Sequence, residues 1–308
     1  EIGSGLVGSE MCIRDRSPFV HAGAVNKYAM LLPELVDNGE SFEERRIYAG
    51  GASLIWNVLY YEYGKCDMVF CCDRWPSVKQ GMYEYYKANR EHKEGIHKAK
   101  EVTEYILNDC GFTVLAEEGY EADDFIYSLV RDHKKHYDHI YIYTGDSDLY
   151  FLVSDNVTVL PNSSRSKTVT KQNFTYTART GKYTPYNALT FYKILEGDKS
   201  DNIPPLPGYL QSVVRNVFDK EIYHPVLGDK ETVSQLLNPL NPEIAHQVSL
   251  VFPLDMQVPS EFATGDKIRI AEWGNAFRNK LWKHNKGIPA HIQEKIEEMA
   301  DMGLYTEV

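Results

Sequence analysis

The 308-residue sequence lacks several features that would assign it to a common class of protein. No run of apolar residues approaches the roughly 20 that a helix needs to cross a bilayer, so we expect a soluble protein. Its five cysteines contain no CxxC pair, which argues against a zinc site and fits a reducing compartment. Positive charge is also scarce, because 33 Lys and Arg against 44 Asp and Glu give a net charge of −11. A protein that passively coats nucleic acid would usually be basic.

Residues 1–17 lack the periodicity of a helix or a strand. They are too polar for a signal peptide, and they resemble a translated sequencing adaptor. We therefore treat this segment as non-native and exclude it from the fold prediction. As a consequence, we expect the first strand of the fold to be missing from this chain.

Short apolar runs alternate with helical segments in the first half of the remaining chain. Strands are predicted at 68–72, 112–115 and 139–144, and helices at 82–110 and 121–136. This alternation implies βαβ units and an α/β fold with a mainly parallel sheet and flanking helices. A further helix is predicted at 53–63 and a hairpin at 167–180. Helices dominate after residue 184, where we place the boundary between a lobe at 18–184 and a helical lobe at 185–308.

Acidic residues gather where the predicted elements begin or end. The carboxyl ends of parallel strands form the ligand crevice of such a sheet, so these side chains are expected to converge. Clustered carboxylates repel one another unless cations neutralise them, and oxygen ligands select Mg²⁺ or Mn²⁺. Two such ions roughly 4 Å apart can hydrolyse a phosphodiester without a serine, cysteine or histidine nucleophile. The candidate metal ligands are Asp73, Glu121, Asp123, Asp124, Asp146, Asp148, Asp198 and Asp201.

Each acidic cluster also has a structural explanation when it is taken alone. Acids in the first turn of a helix stabilise its dipole, which would account for GYEADD at 119–124. TGDSD at 144–148 could be a turn, and GDKSDN at 197–202 could be a polar loop. The four clusters in this order, separated by βα units, favour the metal site.

The chain resembles the 5′-nuclease family at these motifs and at YKANR, residues 86–90. That family includes phage flap endonucleases, 5′-3′ exonucleases and the nuclease domain of bacterial DNA polymerase I. The resemblance runs from about Val69 to Phe218 and implies a PIN-like core over 18–184. It also implies two Mg²⁺ ions, with Mn²⁺ as a substitute, held by the eight carboxylates. A tyrosine count of 22 and modest length favour a stand-alone phage-type enzyme.

The same resemblance implies which residues contact nucleic acid. Lys87 and Arg90 lie three residues apart and would share one face of a helix, where they would contact the scissile phosphate. Apart from the resemblance, the rings of Tyr83, Tyr85 and Tyr86 beside them would offer surfaces on which an unpaired base can stack. Gly208 would belong to the turn of a helix-hairpin-helix-like element that contacts duplex DNA, although Leu210 stands where the family usually has a second glycine. The family's first metal-binding aspartate would lie on the missing strand.

These observations predict a Mg²⁺-dependent 5′-3′ exonuclease and flap endonuclease. We expect branched or 5′-ended DNA as substrate, with RNA/DNA hybrids as a further one, and a monomer in the cytoplasm of a bacterium or a phage-infected host. Two alternatives remain open. One is a branched-DNA-binding protein of the same fold with little catalysis, and the other is a PIN-type ribonuclease.

Overall fold

A computed structural model describes most of the chain. The described residues are 10–15, 66–90, 94–160, 168–170, 175–177, 183–185, 189–221, 230–278 and the single positions 290, 294 and 298. The helix predicted at 53–63 lies outside these ranges. Within them, no helix is both long enough and apolar enough to cross a membrane.

Five strands form one sheet in the order β3-β2-β1-β4-β5. The pairings β1–β2, β2–β3 and β4–β5 are all parallel, which confirms the predicted mainly parallel α/β fold. A separate antiparallel pair, β6–β7, confirms a hairpin close to the predicted position. The strands are β1 (Glu10–Asp15), β2 (Asp67–Cys71), β3 (Thr113–Leu115), β4 (His139–Tyr143), β5 (Val157–Leu160), β6 (Thr175–Thr177) and β7 (Tyr183–Pro185).

The central position of the sheet is filled by β1, so the prediction that the first strand is missing was wrong. The register pairs Ile13 with Val69 and Asp15 with Cys71. A central parallel strand is covered on both faces, and even Arg14 is only 1% exposed. The prediction failed because residues 1–17 lack the alternation of a half-buried strand and were excluded as an adaptor-like segment, whereas β1 is buried on both faces. The adaptor origin of residues 1–17 stays a prediction.

The cysteines divide into a bonded pair and buried thiols. Cys12 of β1 and Cys66 form a disulfide with a Cα–Cα distance of 6.1 Å, which the sequence analysis did not predict. Cys71, Cys72 and Cys110 are free and buried, as expected for cysteines that act as small apolar residues. Burial raises the pKa of the Cys110 thiol, so this thiol stays protonated and unreactive.

The helices group with the strands into two units. The first unit holds 73–90 and 116–258, and the described part of the second holds 10–15, 66–72, 94–115 and residues from 259 onward. The lobe boundary predicted near residue 184 stays a prediction. The helices are α1 (Val78–Met82), α2 (Glu94–Asp109), α3 (Ala122–His133), α4 (Leu189–Glu196), α5 (Gly208–Glu221), α6 (Lys230–Leu237), α7 (Pro242–Val251) and α8 (Lys267–Arg278).

Helices α4 to α7 of the first unit share one apolar cluster. Phe191, Val214, Val233 and Val248 represent the four helices in this cluster, and each is almost fully buried. Burying a side chain of this size contributes roughly 1.5–3 kcal/mol. Helices therefore dominate the C-terminal region, as predicted. The loops between these helices are anchored at both ends to the shared apolar cluster.

In the second unit, α2 and β3 contact the C-terminal part of the chain. Trp273 of α8 is fully buried, and its Nε1–H donates to Asp109 at 2.9 Å. Asp266 donates its backbone N–H to the carbonyl oxygen of Cys110 at 2.7 Å. The first turn of α8 is therefore fixed next to the end of α2.

The continuous helix predicted at 82–110 was wrong. Helix α1 ends at Met82, residues 84–89 form consecutive turns, and α2 begins at Glu94. Lys87 has a φ of 53°, which lies in the left-handed region and is incompatible with a right-handed helix. The break therefore falls inside the motif that was expected to be helical.

Candidate active site

Three predicted metal ligands converge in the first unit. Asp148, Asp198 and Asp201 each offer one carboxylate oxygen, and these oxygens lie within 4.8 Å of one another. Carboxylate oxygens at this spacing suit a hard divalent cation. Among the described residues, this is the group that could hold a metal ion.

A tight loop brings Asp198 and Asp201 to this position. Asp198 and Ile203 exchange backbone hydrogen bonds of 2.9 and 2.7 Å, so residues 199–202 close as a turn rather than the helix considered from sequence. Gly197 precedes the turn with a φ of 72°, and a Cβ there would lie 2.4 Å from the carbonyl oxygen of Ile203. The glycine of GDKSDN is therefore required by the close approach of two backbone segments.

Asp146 and Asp148 follow β4 at the start of a short 3₁₀ helix, Ser147–Leu152. The Asp146 carboxylate accepts a hydrogen bond of 2.8 Å from the N–H of Asp148 and so caps this helix. Burial, and then the neighbouring Asp146 carboxylate, raise the pKa of Asp148 to about 7. Asp146 thus positions the segment that carries Asp148.

Lys193 inserts its ammonium group between two of the three carboxylates. It lies in α4, and its Nζ contacts the Asp148 carboxylate and donates to Asp198 Oδ2 at 2.6 Å. Burial raises the pKa of Asp198, but Lys193 and then Ser200 outweigh it, so the net shift is downward. The sequence analysis missed Lys193. Its position five residues before Asp198, close to the end of a helix, is the signal that could have identified it.

The loop that carries YKANR is fixed to the GDKSDN loop by hydrogen bonds in both directions. Lys87 donates its backbone N–H to the carbonyl of Asp201 at 2.9 Å. In return, Asn202 donates from its side chain to the carbonyl of Tyr85 at 2.8 Å. These contacts hold the side chains of the first loop against Asp201 although the loop is not helical.

Lys87 and Arg90 both contact the acidic residues. The Lys87 Nζ lies 2.6 Å from Glu121 Oε2 and 3.7 Å from Asp201 Oδ2. Arg90 donates to Asp201 Oδ1 at 2.8 Å, but its side chain is 54% exposed, whereas that of Lys87 is 9% exposed. Burial lowers the pKa of Lys87, but Glu121 and Asp201 raise it by more. Lys87 is therefore a buried counter-ion here, and Arg90 is the cation that solvent can reach.

Tyr86 is not a stacking surface in this structure. Its ring is fully buried, and its hydroxyl oxygen lies 3.1 Å from both Glu121 Oε2 and Asp201 Oδ2. The hydroxyl can donate to either carboxylate, and burial followed by those two charges raises its pKa. Tyr85, at 55% exposure, is the neighbouring tyrosine that could meet a base. Nucleic-acid contact by Tyr86 stays a prediction.

The acids of GYEADD are placed differently from one another. Glu121 is the N-cap of α3, and its backbone N–H donates to Asp124 Oδ2 at 2.8 Å in a capping box. The other oxygen of Asp124 accepts from the N–H of Leu254 at 2.6 Å, and the residue is fully buried. Asp73 accepts from the N–H of Ala122 at 3.1 Å. Both oxygens of Asp124 thus accept backbone hydrogen bonds, and its role as a metal ligand stays a prediction.

Replacing Asp124 with alanine is expected to destabilise the fold. The buried N–H of Glu121 and the partly buried N–H of Leu254 would lose their acceptor, at a total cost of about 3 kcal/mol. The matched control is Asp123→Ala in the same helical turn, where the carboxylate is partly exposed and lies near the helix N-terminus, so the expected cost is below about 1 kcal/mol. Urea unfolding of both variants in EDTA measures the difference, and equal stabilities would contradict the structural role of Asp124.

Gly208 is the first residue of α5, and its φ is not in the left-handed region. A Cβ at this position would meet no atom within 4 Å. Leu210, at the position where the family usually has a second glycine, lies in α5. Its side chain is buried in the core shared by α4 to α7. Contact of Gly208 with DNA stays a prediction.

Comparison with known proteins shows which class this fold and site resemble. Residues 28–179 match the family model described as the 5′-3′ exonuclease N-terminal resolvase-like domain. The DNA polymerase I of Mycobacterium tuberculosis is 39% identical over 129 residues, which are 41% of this chain and 14% of that protein. The DNA polymerase I of Caldicellulosiruptor bescii is 31% identical over 187 residues, which are 58% of this chain and 22% of that protein. The chain therefore matches less than a quarter of the length of these relatives.

Solved structures share the fold at low sequence identity. The phage T5 D15 protein, co-crystallised with metal ions, superposes with a TM-score of 0.52 at 15% identity, covering 88% of this chain and 98% of that one. Human GEN1 in complex with Holliday junction DNA gives a TM-score of 0.50 at 14% identity, covering 98% and 76%. The chain therefore shares the PIN-like fold of these structures. Over residues 28–179 the chain is similar to the 5′-nuclease family.

Proposed function

We propose that the protein is a structure-specific 5′-nuclease that hydrolyses DNA phosphodiesters with divalent cations. The observation that carries this proposal is the convergence of Asp148, Asp198 and Asp201, with Lys87 and Arg90 held against the same Asp201. One cluster thus combines a cation site with groups that can bind a phosphate. Similarity to the 5′-nuclease family supports the same chemistry.

Mg²⁺ is the proposed cofactor, and Mn²⁺ its substitute. The contacts of the Lys193 ammonium with Asp148 and Asp198 support this proposal, because they place a cation against the same carboxylates. Asp148, Asp198 and Asp201 would hold one ion. The remaining predicted acids are candidates for a second, namely Asp73, Glu121, Asp123, Asp124 and Asp146. When bound, the ions supply Lewis-acid chemistry for the attack of water on a phosphodiester.

The chain's own residues would bind and orient the DNA. Arg90 is exposed enough to meet a phosphate, and Tyr85 beside it offers a face for an unpaired base. Lys87 would reach a phosphate only by leaving its contact with Glu121, so its charge acts chiefly on the carboxylates until substrate arrives. Branched or 5′-ended DNA is the proposed substrate, RNA/DNA hybrids a further one, and the active form a cytoplasmic monomer.

A panel of labelled substrates tests the proposal. The purified chain is incubated with a 5′-flap DNA duplex, a blunt duplex and a single-stranded RNA, in Mg²⁺ and in EDTA. We expect Mg²⁺-dependent cleavage of the flap at least about tenfold faster than cleavage of RNA, a preference worth ~1.4 kcal/mol. Faster cleavage of RNA would favour the ribonuclease. Tight binding of the flap without cleavage would favour the branched-DNA-binding protein.

A further inference from the structure

Lys193 occupies the position that a metal ion would need. Its Nζ contacts the carboxylates of Asp148 and Asp198, which together with Asp201 form the candidate metal group. The Lys193 side chain is 15% exposed, so most of the ammonium is shielded from water. A monovalent cation supplied by the chain therefore lies where a divalent cation is expected.

The charges explain why the ammonium lies there. Carboxylates that approach within 4.8 Å repel one another, and without a cation they would separate or take up protons. The Lys193 ammonium contacts Asp148 and lies 2.6 Å from Asp198 Oδ2, so it supplies positive charge where this repulsion is strongest.

We propose that Lys193 is a tethered cation that competes with divalent metal for Asp148 and Asp198. It neutralises the acidic group while metal is absent, and metal binding displaces its ammonium from these carboxylates. This inference rests on the metal site of the proposed function. It adds a residue, outside the predicted ligand set, that sets how strongly the site holds its metal.

The opposite role for Lys193 would be that of a buttress that holds the two carboxylates in place for the metal. The two roles predict opposite effects of removing the charge. Loss of a competitor strengthens metal binding, because the ion no longer has to displace an ammonium or bind beside it. Loss of a buttress weakens metal binding, because the ligands are then less well ordered.

The test compares Mg²⁺ binding by isothermal titration calorimetry in three variants and the original chain. We expect Lys193→Gln to bind Mg²⁺ about tenfold more tightly. In EDTA this variant should also unfold at a lower temperature, and Mg²⁺ should raise its thermal midpoint by more than that of the original chain. Lys193→Arg keeps the charge and should bind within about twofold of the original affinity. Lys199→Gln removes a positive charge from an exposed residue of the turn at 199–202, and it should also bind Mg²⁺ within about twofold of the original affinity.

A measurement on the unmodified sequence keeps the inference testable if Lys193→Gln does not fold. Lysine acetylation by a soluble active ester is followed by mass spectrometry, with and without Mg²⁺. Displacement predicts faster labelling of Lys193 when Mg²⁺ is present, whereas the labelling rate of Lys199 should change little. Slower or equal labelling of Lys193 in Mg²⁺ would overturn the inference.

The outcomes separate this inference from the proposed function. If the original chain binds Mg²⁺ and Lys193→Gln binds it equally or more weakly, the competition is refuted and the metal site stands. If the original chain and all variants bind no divalent cation, the metal site of the proposed function fails and the inference fails with it.

Discussion

Replacing Asp148 with asparagine is expected to lower the rate of flap cleavage by about 10³-fold, because one anionic ligand of the metal group becomes neutral. Asparagine has nearly the same shape, and Lys193 keeps its contact with Asp198 at 2.6 Å, so the fold should survive. DNA affinity should stay within about threefold of the original, because the change removes a negative charge and none of the cations. Single-turnover cleavage in Mg²⁺ and fluorescence anisotropy in Ca²⁺ measure the two quantities.

Asp155→Asn is the matched control for this variant. Asp155 is an exposed aspartate in the same unit, between the 3₁₀ helix and β5, and the same chemical change is made seven residues away. It should cleave the flap at the original rate. A rate for Asp148→Asn close to that of Asp155→Asn would remove Asp148 from the catalytic site.

Lys87→Met is expected to lower both stability and activity. The methionine keeps an apolar stem but removes the ammonium that lies 2.6 Å from Glu121 and 3.7 Å from Asp201. Removing one partner of a buried ion pair typically costs about 3–5 kcal/mol, and the free energy of unfolding in EDTA should fall by that amount. Cleavage should fall by about 10²-fold, because a positive charge next to the reacting phosphate is also lost.

Arg90→Met serves as the comparison, since Arg90 contacts the same Asp201 from a side chain that is 54% exposed. Exposed ion pairs contribute about 0–1 kcal/mol, so its stability should stay near the original value. Urea unfolding in EDTA and single-turnover cleavage are measured for both variants. A stability loss in Arg90→Met as large as that in Lys87→Met would contradict the buried counter-ion role of Lys87.

The sequence was sufficient to predict most of the sheet. Strands β2, β3 and β4 lie where apolar runs predicted them, because a buried parallel strand needs a nearly continuous apolar segment. Strand β5 was not predicted, and β1 was missed because residues 1–17 lacked strand periodicity and were set aside as an adaptor-like segment. Arg14 and Asp15 show that a central strand can accept charged residues when neighbouring strands supply the pairing.

The residues of the site were predicted better than their geometry. The motifs identified Asp148, Asp198 and Asp201 as ligands, and the structure brings these three together. The argument from helical spacing was wrong for Lys87. This residue has a left-handed φ, and its backbone N–H donates to the carbonyl oxygen of Asp201. The burial of Tyr86 and the hydrogen bond from Leu254 to Asp124 depend on contacts more than 30 residues away in sequence, which local patterns do not encode.

The most direct test of the central claim, that the Asp148–Asp198–Asp201 group binds the catalytic metal, is iron-directed cleavage of the polypeptide. Fe²⁺ takes the place of Mg²⁺, and ascorbate with peroxide generates hydroxyl radicals that cut the backbone close to the bound ion. We predict cuts near residues 146–148 and 198–201 that excess Mg²⁺ suppresses and Asp148→Asn weakens. Cuts confined to other parts of the chain, or cuts at these positions that Mg²⁺ does not suppress, would contradict the account.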